Sequence, residues 1–200
     1  MNDTPTLQTD RTILKIPGPD DAALMLGYYL ENREHLSPWE PERTPAFYTL
    51  AHWEKLLRDN LELVADNTGF RFAAFDHAHS EVLGICNITN VVYGPFQACN
   101  LGYSIARKHE GKGLMTEILE AGIRFAFQDL GLHRIMANHL PCNERSARLL
   151  QRLGFEREGY AKSYLKISGR WEDHVLTALV HSDQVTDTSQ NPMNIDKHEV

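Results

Sequence analysis

Long apolar runs, basic charge and cysteine are what this chain of 200 residues is short of, and each shortage removes a class of function. No stretch approaches the roughly eighteen consecutive apolar residues that a membrane-spanning helix needs. Asp3, Asp10, Asp20 and Asp21 stand where a secretory leader would be basic and then apolar, so neither a membrane protein nor a secreted one is expected. Lys and Arg number 20 against 27 Asp and Glu, a net charge of −7. That balance opposes direct nucleic-acid binding, which rests on cations neutralising phosphates, and favours cationic partners. Cys86, Cys99 and Cys142 are odd in number and lack C-x-x-C spacing. Neither a closed disulfide framework nor a zinc knuckle is expected, and reduced thiols of a cytoplasmic protein fit best. His77 and His79 flank a single residue with no third ligand pattern, so they read as surface residues and no metal is expected. With only 13 Gly and 9 Pro and no internal repeat, the collagenous and disordered classes also lose support.

What is present is a globular composition, 42% hydrophobic, at a length suited to one domain with a sizeable core. Residues 1–8 are polar and expected to be flexible, 9–181 to form the folded body, and 182–200, without apolar periodicity, to form a flexible tail. Thr12, Leu14 and Ile16 alternate as a strand that Pro17-Gly18-Pro19 ends. Asp20 and Asp21 open a helix marked by Leu24, Tyr28 and Glu31-Asn32. Ser37-Pro38-Trp39-Glu40-Pro41 breaks it, and Trp53, Leu56, Leu57, Leu61 and Val64 mark a second. Residues 70–74, 82–92 and 101–106 read as strands. On the last of these Leu101, Tyr103 and Ile105 share one face and the small residues Gly102, Ser104 and Ala106 the other. Leu114, Ile118, Ala121 and Phe125 mark a helix, 134–140 a strand, and 144–153 a helix closed by Gly154. Two strands joined through Ser168-Gly169 end the body. This order implies an α+β fold, a mixed sheet with helices on both faces.

Between the 101–106 strand and the following helix runs Arg107-Lys108-His109-Glu110-Gly111-Lys112-Gly113-Leu114. Glycines there permit positive φ, so successive N–H groups can converge on an anion while the helix start adds its positive dipole end, a device shaped for a pyrophosphate. A P-loop fails because Gly113 follows Lys112, and a dinucleotide fingerprint fails because Thr116 stands where glycine is needed. Taken alone, the two glycines fit an ordinary tight strand-to-helix connection better, because short glycine motifs are common. One strand downstream, Asn143 opens N-E-R-S-A-R-L-L-Q-R-L-G-F, ending at Phe155. Together with L-G-Y-S-I at 101–105, G-K-G-L-M at 111–115, H-R-I-M-A-N at 133–138 and W-E-P at 39–41, these motifs resemble the RimJ/RimL branch of the GNAT superfamily of acetyl-CoA-dependent N-acetyltransferases. The resemblance spans about residues 9–179.

That resemblance implies a mostly antiparallel mixed sheet of six to seven strands, its fourth and fifth strands splayed to form an acetyl-CoA slot. It implies pantetheine pairing with the backbone of Ser104, Ile105 and Ala106, and a pyrophosphate on the amides of Gly111, Lys112, Gly113, Leu114, Met115 and Thr116. Asn143 is expected to be both a helix cap and a cofactor contact. Lys108 departs from the Gln or Arg the superfamily prefers there; because backbone amides carry the binding, little change in affinity is expected. The implied reaction is acetylation of the N-terminal alanine of a basic ribosomal protein, the fifth of the small subunit.

Acetyl transfer from a thioester asks for a neutral amine, a polarised carbonyl and a proton for the departing thiolate. Many superfamily members take that proton from a tyrosine at the position that Leu150 occupies here, and leucine cannot donate. Ser146, on the same helical face as Asn143, is the residue RimL-like enzymes use instead and the expected acid; a plain first-turn polar residue is its alternative. An α-amine, with pKa about 7.7–8.0, needs only a weak base. Glu40 is the expected base or amine-binding carboxylate, because its Pro-bounded loop borders the acceptor in this family; Asp173 and His174 are the runner-up pair. The glutamate that RimL-like relatives carry just after the equivalent of Lys162 has no counterpart among Ser163, Tyr164 and Leu165. Trp39 and Trp171 are candidates for the peptide channel. Two other functions stay open: a small-amine acetyltransferase using the same slot, and a non-catalytic CoA-binding assembly module.

Overall fold

The apolar run at 82–92 lies near the middle of an eight-stranded sheet in the computed structural model, which describes residues 4–181. The strands are β1 (Thr6–Gln8), β2 (Ile13–Lys15), β3 (Phe70–Phe75), β4 (Val82–Val92), β5 (Ala98–Ile105), β6 (Arg134–Met136), β7 (Glu156–Ile167) and β8 (Arg170–Val180). Their spatial order is β1-β2-β3-β4-β5-β6-β8-β7, and only the β5–β6 pair is parallel. The mixed, mostly antiparallel architecture is the one expected, with one strand more. Thr6–Gln8, read above as part of a flexible lead-in, pairs with β2 through Thr6↔Lys15, Leu7↔Leu14 and Gln8↔Ile13. Thr12, expected in the strand, sits in the intervening turn, its N–H donating to Thr9 Oγ1 at 2.9 Å. The expected tail at 182–200 lies outside the described residues.

Helices cover both faces. On one, α1 (Ala22–Glu31) and α3 (Leu50–Ala65) bury Ala73, Phe75, Ile85 and Ala106, with the Tyr29 and Trp53 rings stacked at 4.9 Å. On the other, α4 (Leu114–Arg124) and α5 (Glu144–Arg152) bury Phe72, Cys86, Ile88 and Leu101 beneath Ile118, Leu119, Leu149 and Leu150. Each large aliphatic or phenylalanine side chain among these contributes about 1.5–3 kcal/mol by leaving water. The α1 helix stops one residue before the expected end, and a short α2 (Arg33–Leu36) follows. Buried Asn32 accounts for the break. Its Nδ2 donates to the Tyr28 carbonyl at 2.8 Å and its Oδ1 accepts the Arg107 N–H at 2.9 Å, so the side chain competes with helical bonding and docks the helix end onto the chain leaving β5.

Candidate active site

β5 pairs with β4 along most of its length but with β6 only at Ala98, Cys99 and Asn100. The strand expected at 134–140 ends at Met136, where the chain parts from β5 but stays bonded to β8: Ala137 N–H donates to the Thr177 carbonyl at 3.0 Å and Val175 N–H to the His139 carbonyl at 2.9 Å. Residues 101–105 of β5 therefore have an open edge, and the two strands expected to splay do so, as fifth and sixth once β1 is counted. Bonding alternates along an antiparallel ladder. Ala106 N–H donates to the Leu83 carbonyl at 2.9 Å, which places Ser104 and Gly102 as bonded partners of β4 and turns the main-chain groups of Tyr103 and Ile105 to the open edge. This corrects two of the three expected pantetheine positions. Ser104 and Ala106 are engaged with β4, and the Ala106 carbonyl also accepts from His109 N–H at 2.9 Å; Ile105, like Tyr103, has its main-chain groups at the open edge.

Beyond the edge, the chain bends through Gly111 (φ 71°) and Gly113 (φ 73°), both left-handed, and Gly113 is the N-cap of α4. No side chain caps that helix, and Glu117 N–H is the first to find a helical acceptor, the Gly113 carbonyl at 3.3 Å. Among the described residues the N–H groups of 112–116 have no partner, so Lys112, Gly113, Leu114, Met115 and Thr116 form a cradle of unpaired donors at a positive helix end. Leu114 and Met115 are buried, which leaves their amides as the groups they present. Lys108 points away, its Nζ 3.0 Å from Glu81. Arg11, which sequence reasoning missed, ties the outer turn: its Nε meets Glu117 Oε2 at 2.7 Å and its Nη1 donates to the Lys112 carbonyl at 2.9 Å.

Asn143 caps α5, its Oδ1 accepting Ser146 N–H at 3.1 Å. Ser146 faces β5 and shares a 2.6 Å hydrogen bond with Tyr103 Oη. Leu150, where a tyrosine acid would stand, is only 1% exposed and belongs to the core. On the opposite face of β5, Ser104 Oγ shares a 2.8 Å hydrogen bond with Tyr28 Oη. Glu40 lies on this second side, near enough for its charge to add to burial in raising the Tyr28 phenol. Burial also raises the Glu40 carboxyl, against the pull of Arg43, whose Nη2 is 3.1 Å away. Consecutive residues of one strand thus hold the two candidate groups on opposite faces, Ser146 on the side of Tyr103 and Glu40 on the side of Ser104.

The loop carrying Glu40 arches onto the last hairpin, where Ser168 N–H donates to the Glu40 carbonyl at 3.0 Å. Beside this arch is a groove of about 690 Å³ lined by Pro38, Cys142, Tyr160, Ser168, Trp171 and Asp173. Trp171 is 64% exposed at its lip, whereas Trp39 does not line it. The runner-up pair is not brought together. Asp173 accepts Tyr160 Oη at 2.7 Å and Ser163 N–H at 2.8 Å, while His174 is buried on the other face of β8 with Nδ1 against the Glu172 carbonyl at 3.1 Å. His77 and His79 bond the Asp10 carbonyl at 3.0 Å and Asp21 Oδ1 at 2.8 Å, as surface-turn residues do.

Comparison with known proteins matches this geometry. The family described as Acetyltransferase (GNAT) domain covers residues 11–156. The [Ribosomal protein uS5]-alanine N-acetyltransferase of Escherichia coli is 48% identical over 177 residues, 88% of this chain and 91% of that protein. The crystal structure of a ribosomal-protein-S5-alanine acetyltransferase from Vibrio fischeri superposes with a TM-score of 0.85 at 37% identity, covering 90% of this chain and 98% of that one. Mycobacterium smegmatis RimJ, solved in complex with CoA-disulfide, gives 0.84 at 27% identity, covering 92% and 91%. With splayed strands, an amide cradle and kinship over most of its length, this chain belongs to the GNAT family of acetyltransferases.

Proposed function

We propose that the chain transfers the acetyl group of acetyl-CoA to the N-terminal alanine of ribosomal protein uS5. The observation that carries the cofactor half is the open edge of β5 leading into the unpaired amides of 112–116. The acceptor half rests on the 48% identity to the E. coli enzyme that bears this activity in its name. Acetyl-CoA supplies an activated acyl group. Tyr103 and Ile105 present main-chain donors and acceptors to its pantetheine, and the cradle holds its pyrophosphate, with Asn143 at the neighbouring helix end. The acceptor amine enters from the Glu40 side, where the carboxylate binds the ammonium or takes its proton through water, and Ser146 protonates the departing sulfur.

The arch between Glu40 and Ser168 makes the acceptor path a passage to be threaded, which suits a flexible chain terminus better than a side chain in a folded surface. A small first residue lets the amine come within near-attack distance, roughly 3–3.5 Å of the thioester carbon. The charge of −7 draws a basic acceptor inward, and salt weakens that steering. Cytoplasmic residence goes with such an acceptor. The test compares acetylation of basic peptides beginning with Ala, Ser, Leu and Glu, with spermidine and an aminoglycoside alongside, at low and high salt. The Ala peptide is expected to lead, with kcat/KM falling as salt rises. Faster turnover of spermidine than of any peptide would move the assignment to small amines, and tight CoA binding without turnover of any amine would move it to a binding module.

A further inference from the structure

The hydroxyl assigned to protonate the departing sulfur has a second hydroxyl behind it. Tyr103 Oη and Ser146 Oγ lie 2.6 Å apart, bridging β5 to the first turn of α5, and neither oxygen has another partner among the described residues. A serine hydroxyl has one proton, and in this pair two directions in which to give it. Donated to Tyr103, that proton is held within the pair and cannot pass to the sulfur. A phenol is the stronger acid of the two, so the favoured arrangement has Tyr103 donating to Ser146, which leaves the serine proton free to turn outward. Burial pushes the Tyr103 phenol up to about 12, against the opposing pull of its bond to Ser146, so at neutral pH it stays a donor. Accepting that bond polarises the serine O–H, because linked hydrogen bonds strengthen one another.

We propose, resting on the acid role of Ser146 given above, that Tyr103 is its positioning residue, aiming the serine proton at the slot and replacing it after transfer. As the carbon–sulfur bond breaks, its electron pair stays with sulfur and Ser146 passes its proton there. Tyr103 passes its own proton to Ser146 Oγ and then recovers one from water. Leu150, one turn along α5 from Ser146, is sealed in the core, and the phenol that meets Ser146 comes from β5.

Tyr103→Phe removes one oxygen and keeps the ring in place. It is expected to lower kcat about 10-fold while leaving peptide KM and the calorimetric Kd for CoA within about two-fold. In a Ser146→Ala background the same change is expected to cost less than about two-fold, since residues acting through one another are not additive. A second readout needs no turnover: in protein labelled with ¹³Cζ-tyrosine, the Tyr103 resonance should shift on Ser146→Ala and return toward its original position with Ser146→Thr. Equal losses from Tyr103→Phe in both backgrounds, no loss in either, or a resonance indifferent to Ser146 overturn the relay. Full kcat in Ser146→Ala overturns the acid role itself, and the relay with it. Should Tyr103→Phe fail to fold, the resonance experiment decides.

Discussion

Gly113→Ala separates what the fold needs at the helix start from what an anion needs there. Gly113 holds φ 73° as the cap of α4, and a Cβ built on it would meet nothing nearer than an Arg11 guanidinium nitrogen at 3.9 Å. Space is therefore available in the free protein, and the cost to stability comes from the backbone. An L-residue in the left-handed region costs about 1–2 kcal/mol, which for a chain of this size lowers Tm by roughly 2–8 °C. Binding carries a separate cost. A methyl group at the mouth of the cradle keeps a phosphate from closing on the amides of 112–116, and CoA affinity is expected to fall about 10-fold or more, equivalent to about 1.4 kcal/mol. The matched control is Gly131→Ala, at φ 63° with nothing within 4 Å, beyond the far end of α4. It should show the same thermal penalty in scanning calorimetry and unchanged CoA affinity in titration calorimetry. A Gly113→Ala protein that melts like the control and binds CoA like the parent would refute the cradle.

Three further outcomes follow from the site and its surroundings. Ser146→Ala should lower kcat about 10²-fold with CoA affinity intact; a loss within about three-fold would make the residue a plain helix-start serine. The acceptor amine gives kcat/KM one acid limb, and Glu40, its carboxyl raised first by burial against the pull of Arg43, adds a second below it, so the slope should steepen from one proton to two. Glu40→Gln should keep only the first limb, and an unchanged profile would remove Glu40 from the chemistry. Burial of Asp21 pushes its carboxyl up, but bonds from His79, Gly18 and Lys15 outweigh this and hold it below the ordinary carboxylate value. Its contribution is present above the ordinary carboxylate range and lost as pH falls through the lowered folded value, so Asp21→Asn should destabilise by about 1–3 kcal/mol at neutral pH and progressively less in acid, as read from denaturant midpoints.

How far the site could be read in the sequence depended on whether each requirement leaves a local mark. The bend did, because two positions at positive φ select glycine, and the spacing of Gly111 and Gly113 before an apolar helix survives as a motif. Alternation along 101–106 gave the correct side-chain faces, yet two of the three main-chain groups that the resemblance implied for pantetheine, those of Ser104 and Ala106, are engaged with β4. Side-chain parity belongs to the strand itself, whereas which amides stay free is set by register with β4, and nothing within 101–106 specifies that Ala106 bonds Leu83. The same limit hid the end of β6: residues 134–140 carry a strand pattern throughout, but pairing with β5 stops at Met136 while bonding to β8 on the other edge continues. β1 was missed because three half-exposed or exposed residues make no apolar pattern and gain their shape from β2. Arg11 and Glu117 are 106 positions apart, and Tyr103 and Ser146 are 43 apart. Pairs of that kind become visible only when the sheet brings them together.

The two halves of the site are built from different materials, and this bears on how such a protein could change its substrate. On the proposed cofactor side the groups on offer are main-chain groups of Tyr103, Ile105 and residues 112–116, which most substitutions leave in place so long as the backbone keeps its course; Lys108 shows the tolerance, since its side chain is engaged with Glu81 and takes no part in the cradle. On the proposed acceptor side the groups are side chains on a Pro-bounded loop and a hairpin, Glu40, Tyr160, Trp171 and Asp173, joined across the arch by one main-chain hydrogen bond from Ser168 among the described residues. Among the described residues none of these four side chains hydrogen-bonds β5. Between the two lies one strand whose neighbouring residues, Tyr103 and Ser104, reach opposite faces and meet Ser146 and Tyr28. Changes at Glu40 or Trp171 should therefore alter which amine is accepted with little effect on CoA affinity, and a Trp171→Ala protein that lost CoA binding in calorimetry would show that the two faces are coupled through β5 after all.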